Sequence, residues 1–442
     1  MVIPRPLVDP ALVGRVTGVV AAGLAEAAEA GLDEEDRRAY GASLVRRALA
    51  EEARRSARGG HLLLSPEEED EVAAQVAAHL WGLGRLQVLV DDPSVENINV
   101  NGCDVVWVTH ADGTKERAAP VADSDEQLVE LIRAAAARLG QHERRFDLAS
   151  PQLDLRLPDG SRLSAVMAVC ERPSVSIRRH RHPDRTLEDL GALGMVSEDL
   201  GAFLAALVKS RQNVAISGET NAGKTTLLRA MAAAIPPEER IVTIETAFEL
   251  GLDKQADRHP DCVALEARPP NVEGVGEVTV ASLVSRTRRM TPDRVILGEA
   301  MGPEVVDLLN VLSQGSRGSL VTIHADSSEA VFSRLATYAI QAPERLSPEA
   351  TAMAAAQALD FVVHVQLRTR RCEPAGPRTE RFVSSVREVM DADGRMVHSN
   401  EVWRPGPDGR AMPGVPLSDR RLAQLGSVGY EAPAAVRGGR RW

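Results

Sequence analysis

Residues 214–226 read Val-Ala-Ile-Ser-Gly-Glu-Thr-Asn-Ala-Gly-Lys-Thr-Thr, and this stretch decides the fold. Its last part matches GxxxxGK[ST], the pattern of a phosphate-binding loop. An apolar run, Val214–Ser217, precedes the pattern and a helical run, Thr226–Ala234, follows it, which is the context that such a loop requires. Glycines let backbone N–H groups turn towards phosphate oxygens, and the helix N-terminus adds a positive dipole end. We therefore expect a nucleotide site formed by Gly218, Glu219, Thr220, Asn221, Ala222, Gly223, Lys224, Thr225 and Thr226.

Two side chains of this loop carry the chemistry of ATP binding. Lys224 is one of only four lysines in a chain whose other basic residues are arginines, and it holds the position that contacts the β- and γ-phosphates. The hydroxyl of Thr225 is in the position that binds Mg²⁺. The pattern therefore predicts ATP and Mg²⁺ as ligands.

Three further polar residues follow short apolar runs downstream of the loop. Glu245 follows Ile241–Ile244, Glu299 follows Val295–Leu297 with one glycine between, and His324 ends the run that begins at Leu320. Ligands of parallel sheets bind at the carboxyl ends of the strands, so these side chains are candidates for the same site. A carboxylate can hold Mg²⁺ or orient water, and an imidazole can donate a hydrogen bond to the γ-phosphate.

The order of predicted elements indicates an α/β fold. Four apolar strands alternate with helical segments after Leu187, which predicts a doubly wound parallel sheet. Three more strands are predicted after Asp360, at 361–367, 382–389 and 397–403. Upstream, a helix from Ser65 to about Trp81 precedes short strand-like runs that begin at Leu86 and are interrupted by one helix near 126–139.

Composition shifts divide the chain into five parts. We expect a helical N-terminal segment at 1–60, with helices near 12–30 and 35–58, followed by an α+β domain at 61–179. A polar, proline-containing linker is predicted at 180–186. The nucleotide-binding domain with its C-terminal strands spans 187–403, and the tail rich in Pro, Gly and Arg at 404–442 is predicted to be flexible.

Charge and composition exclude several other classes of protein. The net charge is −11 and only 3% of residues are aromatic, which disfavours nucleic-acid binding. No apolar run approaches the length that spans a bilayer, and the first residues do not have the pattern of a signal peptide. The four cysteines are far apart, which predicts neither a disulfide framework nor a zinc site. We therefore expect a cytoplasmic protein.

The ordered set of motifs resembles the secretion ATPases of type II and type IV systems. The resemblance rests on residues 218–225, 244–250, 289–299 and 318–325, and it spans about Leu86 to Leu367. Within that superfamily the chain is most similar to the CpaF/TadA branch, which powers tight-adherence (Flp-type) pili. Three stretches upstream are similar to the N-terminal domain of the family, at 92–102, 156–165 and 175–179.

This resemblance implies a RecA-like ATPase domain with a role for each candidate residue. Glu245 would be the catalytic carboxylate that orients or deprotonates the attacking water, and Glu299 the atypical Walker B residue that holds Mg²⁺ through water. His324 would be the histidine-box residue. Arg162 and Arg178, from the N-terminal domain, would contact the phosphates when the domains close. The resemblance also implies a homohexamer that associates peripherally with the membrane through an inner-membrane platform protein.

Three departures from the family pattern leave two alternatives open. Thr246 stands where the family usually has Asp, Met301 where it usually has Arg, and 314–317 where it commonly has Thr-Gly-His. The first two departures favour a nucleotide-binding scaffold that hydrolyses poorly. The other alternative is a motor of the same superfamily that serves conjugation or DNA uptake, which the net charge and the low aromatic content disfavour.

Overall fold

The structure is a computed structural model that divides the chain into two compact units, residues 1–181 and residues 182–442. It describes residues 8–28, 34–59, 63–110, 112–139, 145–179, 185–271, 273–313, 315, 317–372, 376–433 and 436. Most of the predicted linker, residues 180–184, lies outside these ranges.

The first unit begins with a bundle of three helices, α1 (Pro10–Ala28), α2 (Glu34–Gly59) and α3 (Pro66–Trp81). Helix α3 starts as predicted, because Ser65 and Glu68 form a reciprocal capping box. The predicted boundary at residue 60, however, separates α3 from the helices that it packs against. Its buried valines at 72 and 76 complete the core of α1 and α2, so α3 belongs to the bundle.

The second part of this unit is an α+β layer structure. Its elements are α4 (Leu86–Asp91), β1 (Val95–Asn101), β2 (Val106–His110), β3 (Lys115–Ala118), α5 (Asp125–Leu139), β4 (Gln152–Arg156), β5 (Arg162–Val166) and β6 (Ser174–Arg178). The strands form a six-stranded antiparallel sheet in the order β3-β2-β1-β6-β5-β4. Helix α5 packs its apolar side on one face of this sheet, and the other face carries polar side chains.

Two elements of this layer differ from the sequence prediction. The strand-like run at Leu86 is the helix α4, in which Leu86 and Val90 share the buried face because they are four residues apart. The strand β3 was not predicted, because its sequence Lys-Glu-Arg-Ala is charged. A charged sequence suits β3 since it lies at the sheet edge, where charged side chains prevent pairing with other chains.

The second unit confirms the predicted doubly wound sheet. Its strands are β7 (Val214–Gly218), β8 (Ile241–Glu245), β9 (Cys262–Glu266), β10 (Arg294–Ala300), β11 (Leu320–His324), β12 (Phe361–Cys372), β13 (Gly376–Asp393), β14 (Met396–Pro405) and β15 (Ala411–Pro413). The sheet order is β15-β14-β13-β12-β7-β11-β10-β8-β9. Strands β12 to β9 in this order are parallel, and β13 to β15 extend the sheet in antiparallel fashion.

Helices cover both faces of this sheet. They are α6 (Leu187–Ala192), α7 (Glu198–Lys209), α8 (Lys224–Ala232), α9 (Val280–Thr287), α10 (Glu304–Ser313), α11 (Ala330–Gln341), α12 (Pro348–Ala358) and α13 (Asp419–Gly426), with a 3₁₀ turn at Leu252–Lys254. Strand β7 shows the two-sided burial directly. Val214 and Ile216 belong to the core with α7 and α8, whereas Ala215 belongs to the core with α9 to α12.

The prediction of a flexible tail from residue 404 is wrong for its described part. Strand β15 and helix α13 follow β14, and Leu417 and Leu425 are buried in the core of the second unit. Arg421 is also buried, and its guanidinium lies 2.6 Å from Asp360 Oδ1. The average content of Pro, Gly and Arg predicts disorder for this segment. A few apolar residues and one ion pair are nevertheless enough to fix it on the core.

Candidate functional site

The phosphate-binding loop begins where the buried strand β7 ends, between β11 and β12. Both glycines of this loop are required by the conformation or the close packing of its backbone. A Cβ on Gly218 would lie 2.3 Å from the carbonyl oxygen of Val365. Gly223 has a φ of 98°, which L side chains rarely adopt, and it directly precedes helix α8. The loop therefore has the strand–loop–helix structure that the sequence predicted.

Lys224 is buried at the mouth of this loop. Its Nζ donates to the carbonyl oxygens of Gly218, at 3.1 Å, and Glu219, at 3.0 Å. The same nitrogen lies 3.2 Å from Nδ1 of His324 and 3.9 Å from Oε1 of Glu299. The ammonium thus lies among groups that come from three different strand ends.

Glu299 and His324 form the other half of this cluster. Nε2 of His324 lies 2.7 Å from Oε1 of Glu299. A neutral imidazole satisfies both contacts, because Nδ1 accepts from Lys224 while Nε2–H donates to the carboxylate. Both side chains remain about one-third exposed, at 33% and 29%, so a ligand can reach them. The structure therefore brings together Lys224, Glu299 and His324, as the strand-end argument predicted.

Glu245 lies beside this cluster and has a different environment. Oε2 accepts hydrogen bonds from the backbone N–H groups of Glu249, at 2.6 Å, and Leu250, at 2.8 Å, and Thr243 donates to Oε1. Burial raises the pKa of this carboxyl above its ordinary value. A Cβ on Gly298 would lie 3.2 Å from Glu245 Cγ, so Glu245 is packed against the residue before Glu299. In this structure Glu245 holds the loop that follows β8.

The departure at Met301 has a local structural explanation. Oε1 of Glu304 accepts from the backbone N–H groups of Met301, at 2.6 Å, and Gly302, at 2.9 Å. The turn after Glu299 is therefore held by a carboxylate within its own chain segment, and the Met301 side chain is 46% exposed. Gln314 and Ser316, from the third departure, lie outside the described residues.

His364 is a residue near the site that the sequence argument missed. It lies on β12 opposite Ser217, and its Nδ1 is 3.0 Å from the Ser217 hydroxyl. Burial is the main reason that the pKa of His364 is lowered to about 4, and the charge of Lys224 adds to this effect. The available signal was a histidine within an otherwise apolar strand. Its significance depends on β12 lying next to β7, which the sequence order does not reveal.

Arg162 and Arg178 lie in the first unit, whereas the phosphate-binding loop lies in the second. They are directly opposite each other on β5 and β6. Both are on the polar face of the sheet, because the flanking Leu163 and Ile177 are buried against α5. The structure therefore places the two arginines side by side on this face of the first unit.

The residues at the mouth of the loop fit ATP with Mg²⁺. A buried lysine, a threonine hydroxyl in the first turn of α8 and a partly exposed carboxylate are the groups that such a ligand needs. Mg²⁺ usually keeps several waters and is bound through one or two carboxylates together with substrate phosphates, so Thr225 and, through water, Glu299 would hold it. No helix in the described ranges is long and apolar enough to cross a bilayer.

Comparison with known proteins gives matches over most of the chain. The sequence profile of the type II/IV secretion system proteins matches residues 81–404. A protein of Mycobacterium tuberculosis that carries the name of a conjugal transfer protein is 36% identical over 334 residues, which is 73% of this chain and 89% of that protein. VirB11 of the Brucella suis type IV secretion system is 32% identical over 328 residues, 67% of this chain and 88% of VirB11.

A solved structure of the VirB11 ATPase from Brucella suis, in complex with sulphate, is also similar. The sequence identity is 30%, and the match covers 70% of this chain and 95% of the VirB11 chain with a TM-score of 0.35. The profile match includes the phosphate-binding loop with its neighbouring strands, and both relatives exceed 30% identity over two thirds or more of the chain, so the family is assigned on sequence. The chain belongs to the type II/IV secretion system protein family.

Proposed function

We propose that this chain is a Mg²⁺-dependent ATPase motor that powers pilus assembly or protein secretion. The observation that carries the proposal is the convergence of Lys224, Glu299 and His324 at the mouth of the phosphate-binding loop. Phosphoryl transfer requires positioning and charge stabilisation more than covalent chemistry, and this cluster supplies both.

The residues of the chain divide the work of hydrolysis. The loop N–H groups and Lys224 bind the β- and γ-phosphates. Thr225 and, through water, Glu299 would hold Mg²⁺, which would supply positive charge next to the phosphate oxygens. His324 reports on the γ-phosphate, because a ligand that takes the hydrogen bonds of Lys224 changes the partner of its Nδ1. Glu245 orients or deprotonates the attacking water, a role that requires the loop at 249–250 to release its carboxylate.

The second part of the proposal concerns the system in which the motor works. We assign it to a tight-adherence or type II-like system, with a homohexamer that pushes on an inner-membrane platform protein and attaches to the membrane through it. The motif order supports this branch. The Mycobacterium tuberculosis relative carries the name of a conjugal transfer protein and therefore supports the alternative, a motor for conjugation or DNA uptake. The net charge of −11 disfavours a nucleic-acid substrate.

A scaffold that binds nucleotide but hydrolyses it poorly is the candidate from a different class. It is favoured by Thr246 and Met301, which replace an acid and a base of the family pattern. The exposed Met301 side chain weakens this case, because the turn that carries Glu299 is held by Glu304 without help from residue 301.

The experiment that separates motor from scaffold uses the purified full-length chain. Phosphate release at saturating ATP should require Mg²⁺ and should be abolished in Lys224→Ala. Calorimetry should show that Lys224→Ala binds ATP about a hundredfold more weakly, since a charge-assisted contact is lost. Lys209→Ala, an exposed lysine on α7, is the matched control and should behave as the unsubstituted chain. ATP affinity unchanged in Lys224→Ala would overturn the assignment of the loop, and binding without turnover would favour the scaffold.

A further inference from the structure

We infer that Arg381, on strand β13, is a positioning residue of the nucleotide site that sets the conformation of the phosphate-binding loop. The inference deepens the proposed ATPase function and rests on it. No motif includes this arginine, which lies 157 residues after Lys224 in the chain (381 − 224 = 157). Strand β13 belongs to the antiparallel extension of the sheet, two strands away from β7.

The contact is made on the outer side of the loop. Nε of Arg381 donates a hydrogen bond of 2.9 Å to the carbonyl oxygen of Asn221. Asn221 has a φ of 64°, a left-handed conformation that asparagine adopts more readily than most other non-glycine residues. When loop N–H groups turn inward to phosphate, carbonyl groups of the loop turn outward and need partners. Arg381 supplies such a partner to Asn221.

The stem of the same side chain packs on the next turn of the loop. A Cβ placed on Gly223 would lie 3.6 Å from Arg381 Cδ and 3.3 Å from Met195 Cε. Met195 is itself tied to β13, because its carbonyl oxygen accepts a 2.9 Å hydrogen bond from the N–H of Val383. Gly223 directly precedes Lys224, so Arg381 and Met195 together fix the backbone from which the phosphate-binding lysine projects.

The charge of Arg381 suits an anion site as well. Two other arginines of this hairpin are paired with acids. Arg368 lies 2.9 Å from Glu380, and Arg387 lies 3.3 Å from Glu329. Within the described ranges of the chain, Arg381 forms no salt bridge. Its guanidinium therefore adds positive potential beside the loop that binds polyphosphate.

Three variants of the full-length chain test this role, with MgADP binding followed by calorimetry. Arg381→Met keeps an unbranched stem but removes the donor, and we expect it to weaken MgADP binding about tenfold or more. Arg381→Lys keeps a charged donor and should recover most of that loss. The KM for ATP should rise in Arg381→Met while kcat at saturation stays within about threefold, because the residue acts on binding rather than on the transferred group.

Arg368→Met is the matched control for a merely structural arginine of the same hairpin. We expect it to lower the melting temperature without changing MgADP affinity, whereas Arg381→Met should change affinity with little effect on melting. Equal MgADP affinity in Arg381→Met and the unsubstituted chain would overturn the inference and leave the proposed function intact. A failure of the unsubstituted chain to bind MgADP would overturn both.

Discussion

Two glutamates at neighbouring strand ends have environments that suit different tasks. Glu299 is partly exposed and lies near Lys224 and His324, as expected for a group that meets a metal ion and substrate. Glu245 is buried and accepts backbone hydrogen bonds, and burial raises its pKa because it disfavours the charged form. A carboxyl group with a raised pKa is better suited to accept a proton than one with an ordinary pKa.

The exchange of each glutamate for glutamine tests this division of tasks. Glu245→Gln should keep ATP affinity and lose hydrolysis, because an amide keeps the shape of the side chain but cannot act as a base. Glu299→Gln should weaken Mg²⁺-dependent binding as well as turnover. Phosphate release and ATP calorimetry, each with and without Mg²⁺, measure the two effects. Normal hydrolysis in Glu245→Gln together with an inactive Glu299→Gln would show that the roles are exchanged.

The residues that sequence reasoning found share one property: each lies in or near a strand end that an apolar run marks. Lys224, Glu299 and His324 could be brought together in this way, because carboxyl ends of parallel strands meet at one edge. His364 and Arg381 could not, because their importance depends on β12 and β13 lying next to β7. That order is set by packing between distant parts of the chain, which one sequence does not display.

Strand β12 and helix α13 each contribute a buried polar side chain to the part of the sheet that carries the site. His364 lies on β12 against Ser217, just before the phosphate-binding loop. Just before the same strand begins, Asp360 pairs with the buried Arg421 of α13, which also lies 3.9 Å from Glu388. Each element therefore brings a buried titratable or charged group to the central strands.

The lowered pKa of His364 predicts a specific pH dependence of stability. The unfolded chain binds a proton near the ordinary pKa of 6.5, whereas the folded chain does so only near about 4. Stability is therefore complete above pH 6.5 and falls as the pH drops towards 4, by about 3 kcal/mol from this group. His364→Gln should remove that loss in urea unfolding measured across this range. His398→Gln, an exposed histidine, is the control, and an unchanged pH dependence in His364→Gln would contradict the burial argument.

The ion pair between Arg421 of α13 and Asp360 predicts that the C-terminal segment contributes to the stability of the fold. Arg421→Ala should lower the free energy of unfolding by about 3–5 kcal/mol, because it takes the cation away from the partly buried Asp360 and the buried Glu388. Arg420→Ala, its exposed neighbour on the same helix, should change stability by less than about 0.5 kcal/mol. Denaturant unfolding compares the two. Equal stability of both variants would restore the original expectation of a tail that contributes nothing.

The sequence prediction is wrong for two elements, the C-terminal tail and helix α4. The tail was misjudged from its average composition, although Leu417, Leu425 and Arg421 are each buried. Helix α4 was read as a strand because six residues are too few to distinguish the two periods. The central parallel strands β7, β8, β10 and β11 were found because they are apolar on both faces, which makes their signal independent of their neighbours.

The candidate functional residues lie in both compact units of the chain. The phosphate-binding loop, both glutamates and His324 belong to residues 182–442, while Arg162 and Arg178 belong to residues 1–181. We propose that hydrolysis requires groups of both units, with the arginines stabilising charge on the transferred phosphoryl group in a closed state. A residue that acts only in that state contributes to turnover far more than to binding.

Turnover of ATP by arginine variants of the full-length chain tests this central claim most directly. Steady-state phosphate release at saturating MgATP should fall about a hundredfold or more in Arg162→Ala and in Arg178→Ala, with ATP affinity within a few-fold. Arg117→Ala, an exposed arginine of strand β3 in the same sheet, should hydrolyse ATP at the rate of the unsubstituted chain. Full turnover in both arginine variants would show that catalysis resides in the second unit alone, and the closure mechanism would be contradicted.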